Sequence, residues 1–510
     1  MLFQQIISTL PFKQWLKEDK ENKRLFWFAV AAMVISFGWL KIVYPYPNFM
    51  PPDSDNYLEA ANRNDFINIW PIGYSKFLQL VGVFTRSHIV LVVLQYLLLQ
   101  TGVLYFLFTI RYLLSPSKWM FRILMAISIL NPLLPHISNF VSSDCLFASL
   151  SLIWFTQLLW IIYRPNKELL LTHAIVLLFC FMVRHNALYY PFISIGIIII
   201  KHMPRNTKWL GIGSISFLLL FFIGRTQYEY KLKTDTVQYS AFGGWQLGAN
   251  ALYGYAYASP IDPINVNQYF RPLHKLVNRH MDSLRRLRNR PDTKLDVYYL
   301  WNFKSPLRLY MEEKWGLNNS IPFFKQWASM GPLYQEYGRY LIGRYPWLFI
   351  KHYIWPNLLR YYAPPTGFME QYNMGNKTVS PIAISWFNWK NNQLPIRTKD
   401  NHISIISIFP NLLAIVNPLF FLSSTIFLFF RGTRKCNRIS NKIIACILMV
   451  LYGNAIFSVL SAPIELRYQV FPIVITMPFT VFFISWIIQS LQSAPTTKSK
   501  QKKSLPEPAM

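Results

Sequence analysis

Acidic side chains are scarce in this chain, 22 Asp and Glu against 51 Lys and Arg, so the places where they gather stand out. Asp53 and Asp55 fall in Pro51-Pro52-Asp53-Ser54-Asp55-Asn56-Tyr57-Leu58-Glu59-Ala60-Ala61, directly after the first long apolar segment. Three further polar clusters break apolar sequence: Ser143-Asp144, Arg184-His185 and Glu465-Leu466-Arg467-Tyr468. A carboxylate can take the proton of an acceptor hydroxyl or amine, while Arg or Lys stabilises the charge that develops on a departing phosphate. Arg suits the second task because its planar fork meets phosphate oxygens two at a time and stays protonated. Acids beside cations at one membrane face therefore fit the transfer of a group from a phosphate to an acceptor.

The elements that must position these clusters are helices in a bilayer. With 53% hydrophobic, 17% aromatic and 14% charged residues, the chain reads as an all-α polytopic membrane protein, and its apolar runs reach the roughly 20 residues a crossing helix needs. About ten spans are expected, near 25–44, 89–110, 121–138, 144–163, 169–184, 187–201, 208–224, 404–430, 443–460 and 469–490. Lys17, Lys20, Lys23 and Arg24 hold residues 1–24 in the cytoplasm, ahead of what reads as an uncleaved signal anchor. Basic turns at Arg111, Lys118 and Arg122, at Arg164 and Lys167, at Lys201, Arg205 and Lys208, and from Arg431 to Lys442 fall on that same side. The intervening turns, with the four clusters above, then lie on the exterior face of a cytoplasmic membrane, and both termini lie inside. Much of the net charge of +29 is thus topological, with the excess facing anionic lipid or phosphate-bearing substrates, and no nucleic-acid partner is expected.

The transmembrane module 25–224 includes the exterior loop 45–88, which carries the acidic motif. Phe77, Leu80, Val81 and Phe84 recur there at helical spacing, which predicts short amphipathic helices along the membrane surface. Residues 225–403 form a large exterior region of mixed composition, residues 404–491 the last helices, and 492–510 a disordered cytoplasmic tail. Within the exterior region, 340–362 contains Arg344, Lys351 and His352. Each central Lys or Arg would cost about 2.5–3.5 kcal/mol to insert, so this stretch is expected along the interface, anchored by Trp347, Tyr353 and Trp355. Arg271 to Lys294 is strongly basic, with a helical stripe at Leu273, Leu276, Met281, Leu284 and Leu287; it either lies on anionic lipid, meets an acidic acceptor, or is a solvated, packed helix. The four cysteines, Cys145, Cys180, Cys436 and Cys446, avoid 225–403, so that region is not disulfide-stapled. Asn318-Asn319-Ser320 and Asn376-Lys377-Thr378 match glycosylation sequons, which carry little meaning in a bacterial protein.

The membrane part resembles the GT-C superfamily of polyprenyl-phosphate-dependent glycosyltransferases, in the branch holding protein O-mannosyltransferases and the aminoarabinose transferase of lipid A. Asp53-Ser54-Asp55-Asn56-Tyr57 followed by Ala60-Ala61 is similar to that branch's Asp-acid-x-x-Tyr motif in the first exterior loop, with Ser54 where an acid is common. Trp70-Pro71-Ile72-Gly73-Tyr74, the Ser143-Asp144-Cys145-Leu146 helix start, Met182-Val183-Arg184, Tyr345-Pro346-Trp347 and Arg467-Tyr468 with Pro472 resemble further short elements of the family, in its order. The resemblance implies a GT-C-like arrangement and inverting sugar transfer in the cell envelope. It implies Asp53 as catalytic base with Asp55 auxiliary, Arg184 and Arg467 with Lys76 and His185 on the donor phosphate, and Asp144, Tyr57, Glu465 and Tyr468 in support. The implied partners are a polyprenyl-phosphate-linked sugar donor, a lipid, glycan or protein acceptor, and membrane lipids.

Plainer readings stand beside these. Asp53 and Asp144 each sit where an acid caps a helix, and Arg184 and Arg467 where a long side chain snorkels at a bilayer boundary. Trp245, Trp301 and Trp315 fit core packing as well as stacking on sugar. The sequence has no nucleotide-binding glycine loop, no HExxH and no Cys/His metal spacing. No cofactor is expected, although Asp53 with Asp55 has the chemistry to hold a divalent cation. A transporter or flippase for lipid-linked glycans is the competing class, which intramembrane charge and repeated broken helices would favour.

Overall fold

The computed structural model describes residues 10–316, 321–397, 401–430, 432–435 and 438–492. Among them there is no β-strand, only helices and three isolated bridges. The sequon at 318–320, Cys436 and the tail from Ser493 lie outside the described residues.

Eight helices are long and apolar enough to cross a membrane: Lys20–Val43, His88–Leu114, Lys118–Ser138, Ser143–Tyr163, Arg205–Thr234, Phe409–Phe429, Ile439–Ser461 and Leu466–Gln492. The two remaining expected spans are shorter, a helix of 17 residues over Lys167–Val183 and an apolar helix over His185–Ile200. The chain is therefore an all-α, multi-pass membrane protein. Exposed Trp27, Val34, Ile35 and Trp39 on the first span, and Phe217, Leu220 and Phe221 on Arg205–Thr234, are the side chains such helices turn to lipid.

Ser143–Tyr163 is the hub. His88–Leu114, Lys167–Val183, Tyr190–Ile200, Arg438–Ser461 and Val470–Gln492 all pack on it. Its polar residues are satisfied internally, as hydrocarbon surroundings require. Trp154 stacks on Tyr190 at 3.7 Å and donates to Ser194 Oγ at 3.0 Å, and His173 meets Ser194 Oγ at 3.0 Å and Gln157 Oε1 at 3.3 Å. A hub fixed in this way holds its first turn, where Asp144 sits, against several neighbours at once.

Two boundaries differ from the sequence expectation. The span expected to end at 224 continues to Thr234, because an Arg225–Glu229 pair at 2.7 Å and a Tyr230 bond to the Asn68 carbonyl carry the helix on as a stalk. In the loop 45–88 the helices Asp53–Asn62 and Gly73–Phe84 form, but Val81 is buried while Leu80, Val83 and Phe84 are exposed. The outward apolar face is thus rotated from the stripe read in the sequence.

The region 225–403 is built on Ala241–Tyr255 packed along Gly331–Arg344. Gly244 makes this possible, since a Cβ there would fall 2.0 Å from the Gly331 carbonyl oxygen. Trp245, Trp327, Trp301 and Trp70 form a column of nearly parallel rings, with ring centroids 4.9, 6.2 and 5.4 Å apart in turn, which ties the first loop to this region. Trp245 is fully buried, Trp301 and Trp315 half-buried.

Candidate functional site

Asp53 opens its helix, and the segment before it is sewn to the start of the hub. Asn48 N donates to the Asn139 carbonyl at 2.7 Å, and Val141 N returns a bond to the Asn48 carbonyl at 2.9 Å. Ser54 completes the seam: its hydroxyl accepts from Met50 N and donates to the Val141 carbonyl, each at 2.8 Å, with no exposed surface. A carboxylate there could accept but not donate, so this position calls for a hydroxyl.

The seam brings Asp53 to Arg467, with Oδ2 and a guanidinium nitrogen 2.9 Å apart. The same guanidinium binds Glu465 at 2.9 Å and the Tyr468 hydroxyl at 2.7 Å, and stands 3.9 Å from Asp144. Asp144, whose side chain is 1% exposed, is paired in turn with Arg184 and accepts from Ser142 Oγ at 2.9 Å. The Tyr468 ring lies 4.6 Å from one guanidinium and 4.7 Å from the other, separating two like charges with an aromatic face. Tyr57 donates to Ser143 Oγ at 3.0 Å beneath them. Three carboxylates and two guanidiniums thus form one partly buried network in which every carboxylate has a cationic partner.

Arg467 is aimed by the turn before it. Asn357 donates to the carbonyls of Val459 and Ala462, at 2.9 and 2.8 Å, and accepts from Ile464 N at 2.9 Å. Leu466 N donates to the Pro365 carbonyl at 2.9 Å. Gly367, at φ +55°, lies so close that a Cβ would stand 3.0 Å from the Glu465 carboxyl carbon, so both the backbone angle and the space call for glycine.

The network lines a cavity of roughly 1040 Å³, shared by Asp53, Tyr57, Asp144, Arg184, His185, Glu465, Arg467 and Tyr468. Exposed Leu188, on the turn His185–Tyr189, and Leu460, on the helix Arg438–Ser461, line it too. So do Trp301, Phe303, Phe323 and Arg308, whose guanidinium lies 4.7 Å from the Phe323 ring and 5.4 Å from that of Phe303 and pairs with Glu312 at 2.8 Å. Nothing at Arg308 or Phe303 marks them in the sequence; they reach the cavity only through the packing of Pro306–Trp315.

Two candidates lie elsewhere. Asp55 turns away and accepts from Ser380 Oγ at 2.6 Å, and burial raises its pKa against the lowering effect of that bond. Lys76 donates to Asn64 Oδ1 at 2.7 Å and sits over the Phe66 ring; burial lowers its pKa, with Asp65 opposing. Neither lines the cavity. With Asp53 and Asp55 on opposite sides of one helix they do not form a joint cation site, and among the described residues no group of three His, Cys, Asp or Glu side chains is placed to hold a metal. No family model, no curated protein and no solved structure matches this chain.

Proposed function

We propose that the chain is an integral-membrane glycosyltransferase that moves a sugar from a polyprenyl-phosphate donor to an acceptor at the outer face of the cytoplasmic membrane. The resemblance of the short motifs to the GT-C superfamily supports this reading. The observation that carries it is the Asp53–Arg467 pair on the wall of a cavity that apolar Leu188 and Leu460 also line.

In this reading the donor's hydrocarbon tail enters past Leu188 and Leu460, and its phosphate meets Arg467 and Arg184. Arg467 holds Asp53 in an ion pair. Donor phosphate competes for the same guanidinium, so donor binding releases Asp53. The acceptor oxygen or nitrogen then attacks the anomeric carbon from the side opposite the phosphate, its proton passing to Asp53. The bond from the anomeric carbon to the phosphate oxygen breaks, and its electron pair leaves on the phosphate, where the arginines stabilise the added charge. The product has inverted configuration, and polyprenyl phosphate returns to the bilayer. Asp144, Glu465 and Tyr468 position the arginines, Tyr57 braces the Asp144 turn, and His185 lines the donor end.

The test uses purified protein in vesicles loaded with polyprenyl-phosphate sugars and candidate acceptors. Parent protein is expected to cleave the sugar–phosphate bond, and Asp53→Asn to bind donor without turnover. Turnover retained by a normally folded Asp53→Asn removes Asp53 as base. A carrier for lipid-linked glycans would move the donor across the vesicle wall with that bond intact, so the same vesicles separate the two classes.

A further inference from the structure

A surface away from the cavity joins two features that the proposed transfer does not use, the stretch 340–362 and the basic segment after Arg271. From Pro346 to Tyr362 the chain is helical, with one π turn at Ile350–Ile354 just ahead of Pro356, where the missing N–H breaks the regular ladder. Its inner face, Phe349, Tyr353, Asn357 and Tyr361, is buried. Its far end is fixed in depth: Asn417 donates to the carbonyls of Tyr361 and Tyr362 at 3.0 and 3.2 Å. Asn417 lies eight residues into the span Phe409–Phe429, about 12 Å along it. The Tyr362 end of this helix therefore packs beside that membrane span, away from the span's Phe409 end.

Its outer face is a single row at four-residue spacing, Trp347, Lys351, Trp355 and Leu359, all exposed, the three apolar members by 71, 57 and 52%. Two tryptophans, a leucine and one lysine long enough to reach upward match the boundary between headgroups and acyl chains. Beside the row, His352 stacks on Tyr257 at 3.7 Å, and Arg290 lies 5.0 Å from the same Tyr257 ring. This holds the loop after Arg271–Arg285 against the upper part of the row. Arg286, Leu287 and Arg288 on that loop are exposed, as is Arg344 one turn above Trp347. The nearby acids are already engaged, Asp282 by Arg285 and Asp292 by Arg290.

We propose that this surface seats an anionic phospholipid of the surrounding bilayer. Its phosphate lies among Arg286, Arg288, Arg344 and Lys351, and its acyl chains run down Trp355 and Leu359. An acidic glycan would use the cations but leave the apolar row without a partner, so the lipid accounts for both halves. The proposal does not depend on the chain being a transferase.

The full chain is reconstituted in nanodiscs of equimolar phosphatidylglycerol and phosphatidylcholine, and the lipid retained after transfer to detergent is quantified by native mass spectrometry. Parent protein is expected to retain phosphatidylglycerol preferentially. The preference is expected to fall about fivefold for each cation removed in the series Arg286→Gln, Arg288→Gln and Lys351→Gln. Trp355→Ser with Leu359→Ser is expected to lower total retained lipid. Equal retention of the two lipids by parent, or a preference unchanged in the triple variant with normal melting, overturns the proposal. So does a preference lost with the cations while total lipid is unmoved by the serine pair, because that pattern marks a polyanion site. These side chains are exposed and make no core contact, so the variants are expected to fold.

Discussion

The helix Asp53–Asn62 carries two aspartates with opposite surroundings. Positions two apart project roughly 200° from one another, so Asp53 faces the arginine network and the cavity while Asp55 faces Ser380. The same division separates Arg467, inside the cavity wall, from Lys76, which is occupied by neutral amides on the loop surface. Residue type and expected membrane side placed all four near one chemistry. The winding of one helix and the packing of the last span decide which of them meet. Charge alone does not make a site; a shared, enclosed partner does.

Breaking the cavity side is expected to produce the largest effects. Asp53→Asn should lower transfer by about 10²–10⁴-fold, read as product formed per enzyme in vesicles, with the melting temperature little changed. Arg467→Gln should lower transfer by about 10²–10³-fold. It should also destabilise the protein, because Asp53 and Glu465 lose their cation in a mostly buried place; thermal melting in detergent reads that second effect. Ser54→Ala removes the hydroxyl of the seam and should cost about 1–3 kcal/mol, measured as lowered melting with the transfer defect following stability. On the far side, Asp55→Asn and Lys76→Met should each change transfer by about twofold at most. A loss in Asp55→Asn equal to that in Asp53→Asn would erase the contrast.

Acidity sharpens the same contrast. Burial raises the Asp55 pKa, so the folded protein holds that proton more tightly than the unfolded chain does. Its contribution to stability is fullest below the unfolded value of about 3.9 and is lost as pH rises through the higher folded value. Asp55→Asn removes the loss. Its melting temperature relative to parent should therefore climb as pH is raised from the acid side toward neutrality, with transfer unaffected.

The membrane spans were legible because a bilayer demands long apolar runs, and those runs persist whatever their neighbours. The overrun of Arg205–Thr234 was not, since it depends on Tyr230 reaching the Asn68 carbonyl across the fold. In the basic segment, Leu273, Met281 and Leu284 are buried as the stripe suggested, while Leu276 is half-buried and Leu287, past the helix end, is exposed. The candidate residues could be gathered by type and by membrane side, but their pairing could not. Gly367 against Glu465, and Asn357 bracing the turn before Ile464, join positions about a hundred residues apart with no local signature. Ser54 looked like a defect in an acidic motif until its two bonds showed that the position needs a donor.

The tryptophan column has an optical consequence. Transition dipoles in parallel rings this close couple as excitons, so Trp70, Trp301, Trp327 and Trp245 absorb as a set rather than singly. Three belong to the region 225–403 and Trp70 alone to the first loop, with an interplanar angle of 8° across that join. Any hinge that parts the loop from the region changes the near-ultraviolet circular dichroism at its source. The protein thus carries an intrinsic gauge, requiring no attached dye, of whether the first loop stays joined to that region.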